Sequence, residues 1–319
     1  MEKIMSGGVI RNQADDLEER LAETFGKRYR EYRESWTKAG PDHLLTAPLH
    51  VDLELVDSCN ESCVFCPRNT EEHPDLPYTI NTKAKLSDTI LEKFFREAKE
   101  MALPSINISI GEPLLDNRCF PVIKEFHAIG GMDSRVITNG LLLHKYVDEI
   151  FDSGLVHLFT SIDAFSKETY LALRGNGLYQ KVVDNVLLIL KEKQRRKSLL
   201  PIMRVSFVEM DGNKHEEKDF LAFWQERVEI VDMHLRKHFQ DFTGGKKPKQ
   251  FNCNDPFRRL AIFANRDILP CCTFYGKMLK LGNFETMSLA EAWAGDKMIK
   301  VRDDLLHDRN PMCLACQGC

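Results

Sequence analysis

From His50 onward, short apolar runs alternate with longer stretches in which apolar residues recur at helical spacing. The runs predict strands near 50–56, 105–110, 134–138, 155–162, 202–209 and 229–236, and the longer stretches predict helices near 86–99, 117–130, 143–153, 178–195 and 214–227. Six apolar runs separated by helix-length segments are how a parallel sheet reads, with helices covering one or both of its faces. The fold class is therefore α/β. Periodicity alone leaves an open sheet, a partial barrel and a closed barrel as alternatives. In each, ligands belong at the carboxyl ends of the strands.

Both flanks differ from this pattern. Between Asp15 and Glu34, Leu17, Leu21 and Phe25 recur every four residues in a stretch rich in Glu, Arg and Ala, which predicts a helix packed on the main body. Residues 1–46 thus read as a helical N-terminal extension that breaks around Pro41. The Gly- and Lys-containing stretch from Gln240 to Pro248 marks a boundary, giving a main domain over 47–240 and a small domain over 241–319. In that tail, 259–264 and 266–270 predict a hairpin, and Leu289, Trp293, Ile299 and Leu305 predict a helix over 287–305.

Charge narrows the classes of partner. Lys and Arg number 44 against 48 Asp and Glu, a formal charge of −4, so there is no general electrostatic pull toward nucleic acid or an anionic membrane. No 18-residue apolar run could cross a bilayer, and the N-terminus lacks the basic-then-apolar pattern of a secretory signal. A reducing, cytoplasmic location is expected, and there grouped cysteines mean metal ligation or thiol chemistry.

The ten cysteines are indeed grouped. Cys59, Cys63 and Cys66 follow the first predicted strand, Cys253, Cys271 and Cys272 lie in the tail, and Cys313, Cys316 and Cys319 end the chain. Cys119 stands alone on a predicted helix and reads as a packed small hydrophobe. Three thiols within eight residues suit a zinc or iron centre that keeps one position for a non-protein ligand. A structural metal with a distant fourth ligand and thiols grouped by coincidence remain the alternatives at this point.

The three-then-two spacing, with Phe65 just before Cys66, resembles the signature of the radical S-adenosylmethionine enzymes. The resemblance implies a partial or full β/α barrel, here a partial (β/α)6 barrel with a small C-terminal iron–sulfur auxiliary domain. It also implies a [4Fe-4S] cluster on Cys59, Cys63 and Cys66, whose open iron is taken by S-adenosylmethionine. Reductive cleavage of that cosubstrate then gives a 5′-deoxyadenosyl radical. Gly111-Glu112-Pro113 resembles the element that approaches the methionine amino group, although Ile110 stands where a glycine is frequent. Thr138-Asn139-Gly140 follows the third strand, and Asn139 is assigned to the same cofactor site. Ser161 and Asp163 resemble positions near the cosubstrate ribose and carboxylate, and Arg174 resembles the arginine that meets the carboxylate. No residue is nominated as acid or base.

The tail resembles the shortened auxiliary-cluster domain called a twitch domain, a relative of the SPASM domain. Its six cysteines after residue 250 are too few for two fully cysteine-ligated four-iron clusters, so one auxiliary [4Fe-4S] cluster is expected, two clusters in all. The expected ligands are Cys253, Cys271, Cys313 and Cys316, with Cys272 competing for the place of Cys271 and Cys319 for that of Cys316. Zinc is the competing tenant. The compact tail resembles enzymes that oxidise an alcohol of a sugar or aminocyclitol to a carbonyl, with the auxiliary cluster accepting an electron from the substrate. An external reductant of the flavodoxin or ferredoxin type is implied. The alternatives are a radical sugar epimerase or decarboxylase, a peptide-modifying maturase, and a non-catalytic iron–sulfur interaction protein.

Overall fold

The structure, a computed structural model, describes residues 3–5, 8–12, 17–66, 68, 83–235, 253–272 and 279–307, with 3–5, 8–12, 234 and 235 described as backbone alone. Its strands are β1 (Lys3–Met5), β2 (Gly8–Asn12), β3 (His50–Leu53), β4 (Ser105–Ile108), β5 (Asp133–Thr138), β6 (His157–Ser161), β7 (Ile202–Glu209), β8 (Ile230–Leu235), β9 (Arg259–Ile262), β10 (Asp267–Leu269) and β11 (Gly282–Asn283). They form one sheet in the order β1-β2-β8-β7-β6-β5-β4-β3-β9-β10-β11. Strands β3 to β8 pair in parallel, each with its sequence neighbour, so all six expected strands are present.

The crossovers carry α3 (Asp88–Glu100), α4 (Cys119–Ala128), α5 (Val147–Asp152), α6 (Lys167–Arg174), α7 (Tyr179–Arg196) and α8 (Glu217–Trp224), preceded in the chain by α1 (Leu17–Phe25) and α2 (Lys27–Lys38). Alternation along the strands sorts the two faces. Val51, Leu53, Ile106, Ile108, Val136, Leu158, Val205 and Phe207 join the helices in the large apolar core. Their neighbours Asp52, Asn107, Arg135, Arg204 and Asp232 face the barrel interior. The result is a partial β/α barrel with a C-terminal extension of its sheet.

The extension of residues 1–46 departs from the helical expectation at both ends. It begins with the β1–β2 hairpin, whose second strand pairs antiparallel with the edge of β8. That pairing is a tertiary event with no periodic run to announce it. The single predicted helix is also two, because Gly26 turns the chain at φ 73°. Together α1 and α2 close the amino-terminal end of the barrel: Leu17, Leu21, Tyr29 and Tyr32 pack with Met132, Val156, Ile202 and Ile230. Tyr32 donates to buried Asp133 Oδ2 at 3.0 Å.

The tail continues the sheet on the opposite edge. β9 pairs in parallel with β3, and β10 and β11 follow antiparallel. The predicted helix over 287–305 is interrupted at Gly295 into α9 (Leu289–Ala294) and α10 (Asp296–Leu306), the first opened by a Ser288–Glu291 capping box. Trp293 Nε1 donates to Leu45 O at 2.9 Å, and Leu289 N to Glu97 Oε2 at 2.8 Å. The expected boundary at 240/241 and the ligands Cys313 and Cys316, with their neighbour Cys319, lie outside the described residues.

Candidate active site

The first cysteine loop leaves the carboxyl end of β3, at the opposite end of the barrel from the α1–α2 closure. Cys66 N bonds Cys63 O at 3.0 Å, folding the loop on itself, and Val64 N bonds Leu173 O at 3.0 Å, tying it to α6. All three thiols are free of disulfides. Burial pushes Cys59 up to about 11 and raises Cys63 and Cys66 too, so without a metal the thiols stay protonated at neutral pH.

Two of the three sulfurs meet a side-chain N–H donor. Asn139 Nδ2 lies 3.9 Å from Cys59 Sγ, and Arg174 Nη1 lies 3.7 Å from Cys63 Sγ. Thiols need no such company, whereas cluster-bound thiolates are stabilised by it. Among the described residues no three His, Cys, Asp or Glu side chains converge as one metal ion requires. Three cysteines on one loop, two of them beside side-chain N–H donors, are a donor set that fits an iron–sulfur cluster with one position left for a further ligand.

Gly111 packs against the base of this loop. A Cβ there would sit 2.3 Å from Val56 O and 2.8 Å from Ser58 O, so only glycine allows the approach. The next residue, Glu112, bonds Ser58 O through its N–H at 2.8 Å. Its carboxylate accepts from Thr138 Oγ1 at 2.7 Å, Asn139 N at 2.8 Å and Leu114 N at 3.0 Å. Burial outweighs these bonds and raises its pKa to about 7. Pro113 opens a short 3-10 turn behind it. Ile110 occupies positive φ, 83°, the conformation for which glycine is the ordinary choice.

Arg174 and Asp163 are also brought to the loop. Asp163 takes the Val208 N–H at 2.8 Å on Oδ1 and the Arg174 guanidinium on Oδ2. Arg174 reaches Glu61 Oε2 at 3.0 Å, and its Nε has no hydrogen-bond partner among the described residues. Ser161, at the end of β6, is half-buried. Glu61 gathers further bonds from Tyr170 at 2.6 Å and Asn176 at 3.0 Å. Sequence reasoning passed over Glu61 because a charged loop residue announces nothing until its partners, more than 100 positions away, are in place.

In the tail, Cys253, Cys271 and Cys272 are half-buried, and Arg259 Nη1 donates to Cys272 Sγ at 3.5 Å. Cys119 is fully buried in the core, as a packing residue should be. No described helix is long and apolar enough to cross a membrane.

Comparison with known proteins agrees with this geometry. The profile of the Radical SAM superfamily matches residues 53–210, and that of an iron–sulfur cluster-binding domain, SPASM, matches 253–319. A probable GTP 3′,8-cyclase of Methanothermobacter thermautotrophicus is 25% identical over 182 residues, 57% of this chain and 55% of the relative. The GTP 3′,8-cyclase of Thermodesulfovibrio yellowstonii is 25% identical over 181 residues, 56% and 53%. The chain spans about half the length of these relatives. Among solved structures, BtrN in complex with AdoMet and 2-DOIA matches at TM-score 0.53 and 15% identity, covering 83% of this chain and 90% of that one. Streptococcus suis SuiB bound to precursor peptide SuiA matches at 0.58 and 14%, covering 92% and 76%. These likenesses to structures establish the fold. The two profiles bring with them S-adenosylmethionine and two iron–sulfur clusters as cofactors, and the chain belongs to the radical SAM superfamily, with a SPASM domain at its C-terminus.

Proposed function

We propose that this radical SAM enzyme oxidises one alcohol of a sugar or aminocyclitol to a carbonyl. The observation that carries the proposal is the charge balance of the barrel interior. Asp52 pairs with Arg259 at 3.5 Å and Asp232 with Arg204, while the Asp133–Arg135 pair, at 2.9 Å, belongs to the end closed by α1 and α2. Between them Asn107 bonds Asp52 at 2.8 Å and Ser109 at 2.9 Å. Burial lowers the pKa of His50, and that of His157 to about 3, so neither ring adds charge at neutral pH. An interior rich in donors and acceptors but without cationic excess suits a hydroxylated substrate.

When bound, the cofactors supply a 5′-deoxyadenosyl radical that takes a hydrogen atom and a one-electron acceptor. In this reading Cys59, Cys63 and Cys66 hold the first cluster, and Cys253, Cys271, Cys313 and Cys316 the second. Glu112 receives the cosubstrate amino group beside Gly111 and Pro113, and the free Nε of Arg174 is a donor for its carboxylate. Asn139, Ser161 and Asp163 line the remainder of that site. The carbinol carbon loses a hydrogen atom, its hydroxyl a proton, and one electron leaves, which balances a two-hydrogen oxidation. A flavodoxin- or ferredoxin-type protein is the proposed reductant, and a reducing cytoplasm the proposed location.

A second reading comes from the GTP 3′,8-cyclase relatives. A nucleoside triphosphate needs surplus positive charge, and each interior arginine named above is already held by an aspartate, which weighs against it. Incubation of the reconstituted enzyme with aminocyclitols, sugars, GTP and peptides, followed by product mass, tests both. Consumption of GTP alone would favour the second reading, and modification of peptide alone a maturase.

A further inference from the structure

Two residues beyond Cys66, Arg68 ties the cysteine loop to a pair of buried carboxylates. Nη1 donates to Glu54 Oε1 at 3.0 Å and Nη2 donates to Asp57 Oδ1. The three side chains are 8%, 1% and 2% exposed. The other oxygen of Glu54 accepts the Ala264 N–H at 2.9 Å, in the turn between β9 and β10. Thus one carboxylate joins the loop that carries Cys66 to the first turn of the C-terminal segment. Holding three ions out of water is costly and unnecessary for packing alone, since apolar contacts would fasten a loop as well.

We propose that Arg68 and Glu54 are positioning residues for the first cluster: two residues beyond Cys66, the buried charges they hold anchor the end of the cysteine loop and set the reduction potential. A cation close to the cluster favours its reduced, more negative state, and an anion disfavours it. Because Ala264 fixes Glu54, the C-terminal segment contributes to the potential of a centre it does not ligate.

The test is an anaerobic redox titration of the reconstituted full-length protein, following the electron paramagnetic resonance signal that changes on adding S-adenosylmethionine. Iron content and circular dichroism are measured in parallel. Arg68→Gln is expected to lower the midpoint by a tenfold or larger change in the reduction equilibrium, about 59 mV for one electron. Glu54→Gln keeps an oxygen for Ala264 and removes a negative charge, so it is expected to raise the midpoint. The double variant should return toward the wild-type value, and Arg68→Lys, which keeps the charge, should stay near it. Both single variants moving in the same direction, or neither moving with iron intact, would overturn the proposal. If Arg68→Gln fails to retain iron, Glu54→Gln decides by its sign.

Discussion

Glu112 Oε2 holds the backbone N–H of Asn139 at 2.8 Å, joining the segments that follow β4 and β5 directly beside the first cysteine loop. Burial raises this carboxyl from the ordinary 4.5 to about 7 despite three hydrogen bonds to it. In the cofactor-free fold Glu112 keeps a proton that the unfolded chain has released. Its stabilising contribution is present in full below pH 4.5 and is lost as pH rises through 7, a change of about 3 kcal/mol at most. Urea unfolding at pH 5 and pH 8 should show this slope, and Glu112→Gln should remove it. If an ammonium group docks there, S-adenosylmethionine affinity rises through the same window in the wild type and is flat in the variant.

Arg174 carries a heavier electrostatic load. Buried between Glu61 and Asp163, it neutralises two carboxylates at once. Arg174→Ala leaves both uncompensated and should destabilise the protein by about 3–5 kcal/mol. Arg174→Lys keeps the charge but not the fork, and should lose less stability than affinity for S-adenosylmethionine. Chemical denaturation and equilibrium binding separate the two effects.

Substitution of Cys59, Cys63 or Cys66 by Ala should abolish 5′-deoxyadenosine formation while leaving the tail cluster in place. Intact protein should carry about eight irons and these variants about four. Cys253→Ala or Cys271→Ala should show the converse: about four irons lost, cosubstrate cleavage retained, and oxidised product gone. Iron and sulfide analysis with product chromatography reads both. Zinc in the tail would sink the electron-acceptor role.

Tyr32→Phe probes the closed end of the barrel. Removing the hydroxyl that donates to Asp133 at 3.0 Å should cost about 1–3 kcal/mol in unfolding experiments. Because α1 and α2 lie at the end away from the cysteine loop, 5′-deoxyadenosine formation should be unchanged.

The parallel strands and their crossover helices were legible because each buries an apolar face, and burial leaves a period in the sequence. The β1–β2 hairpin was not, since its place is set by the free edge of β8. The eight residues of α6 were missed because a short polar helix held by Ser166 and Gly175 caps has little periodicity to show. Spacing and resemblance nominate Cys59, Cys63, Cys66, Gly111 and Glu112, which the fold gathers around one loop. Glu61 and Glu54 were not nominated, because their partners Tyr170, Arg174 and Ala264 come from distant segments and only the folded chain brings them together.

The most direct measurement is the mass of the product formed from an aminocyclitol or sugar panel by the reduced enzyme with S-adenosylmethionine. Loss of two hydrogens from one substrate is expected, with one 5′-deoxyadenosine formed per carbonyl. A substrate returned at unchanged mass, one that has lost carbon dioxide, or turnover confined to GTP or peptide would contradict it.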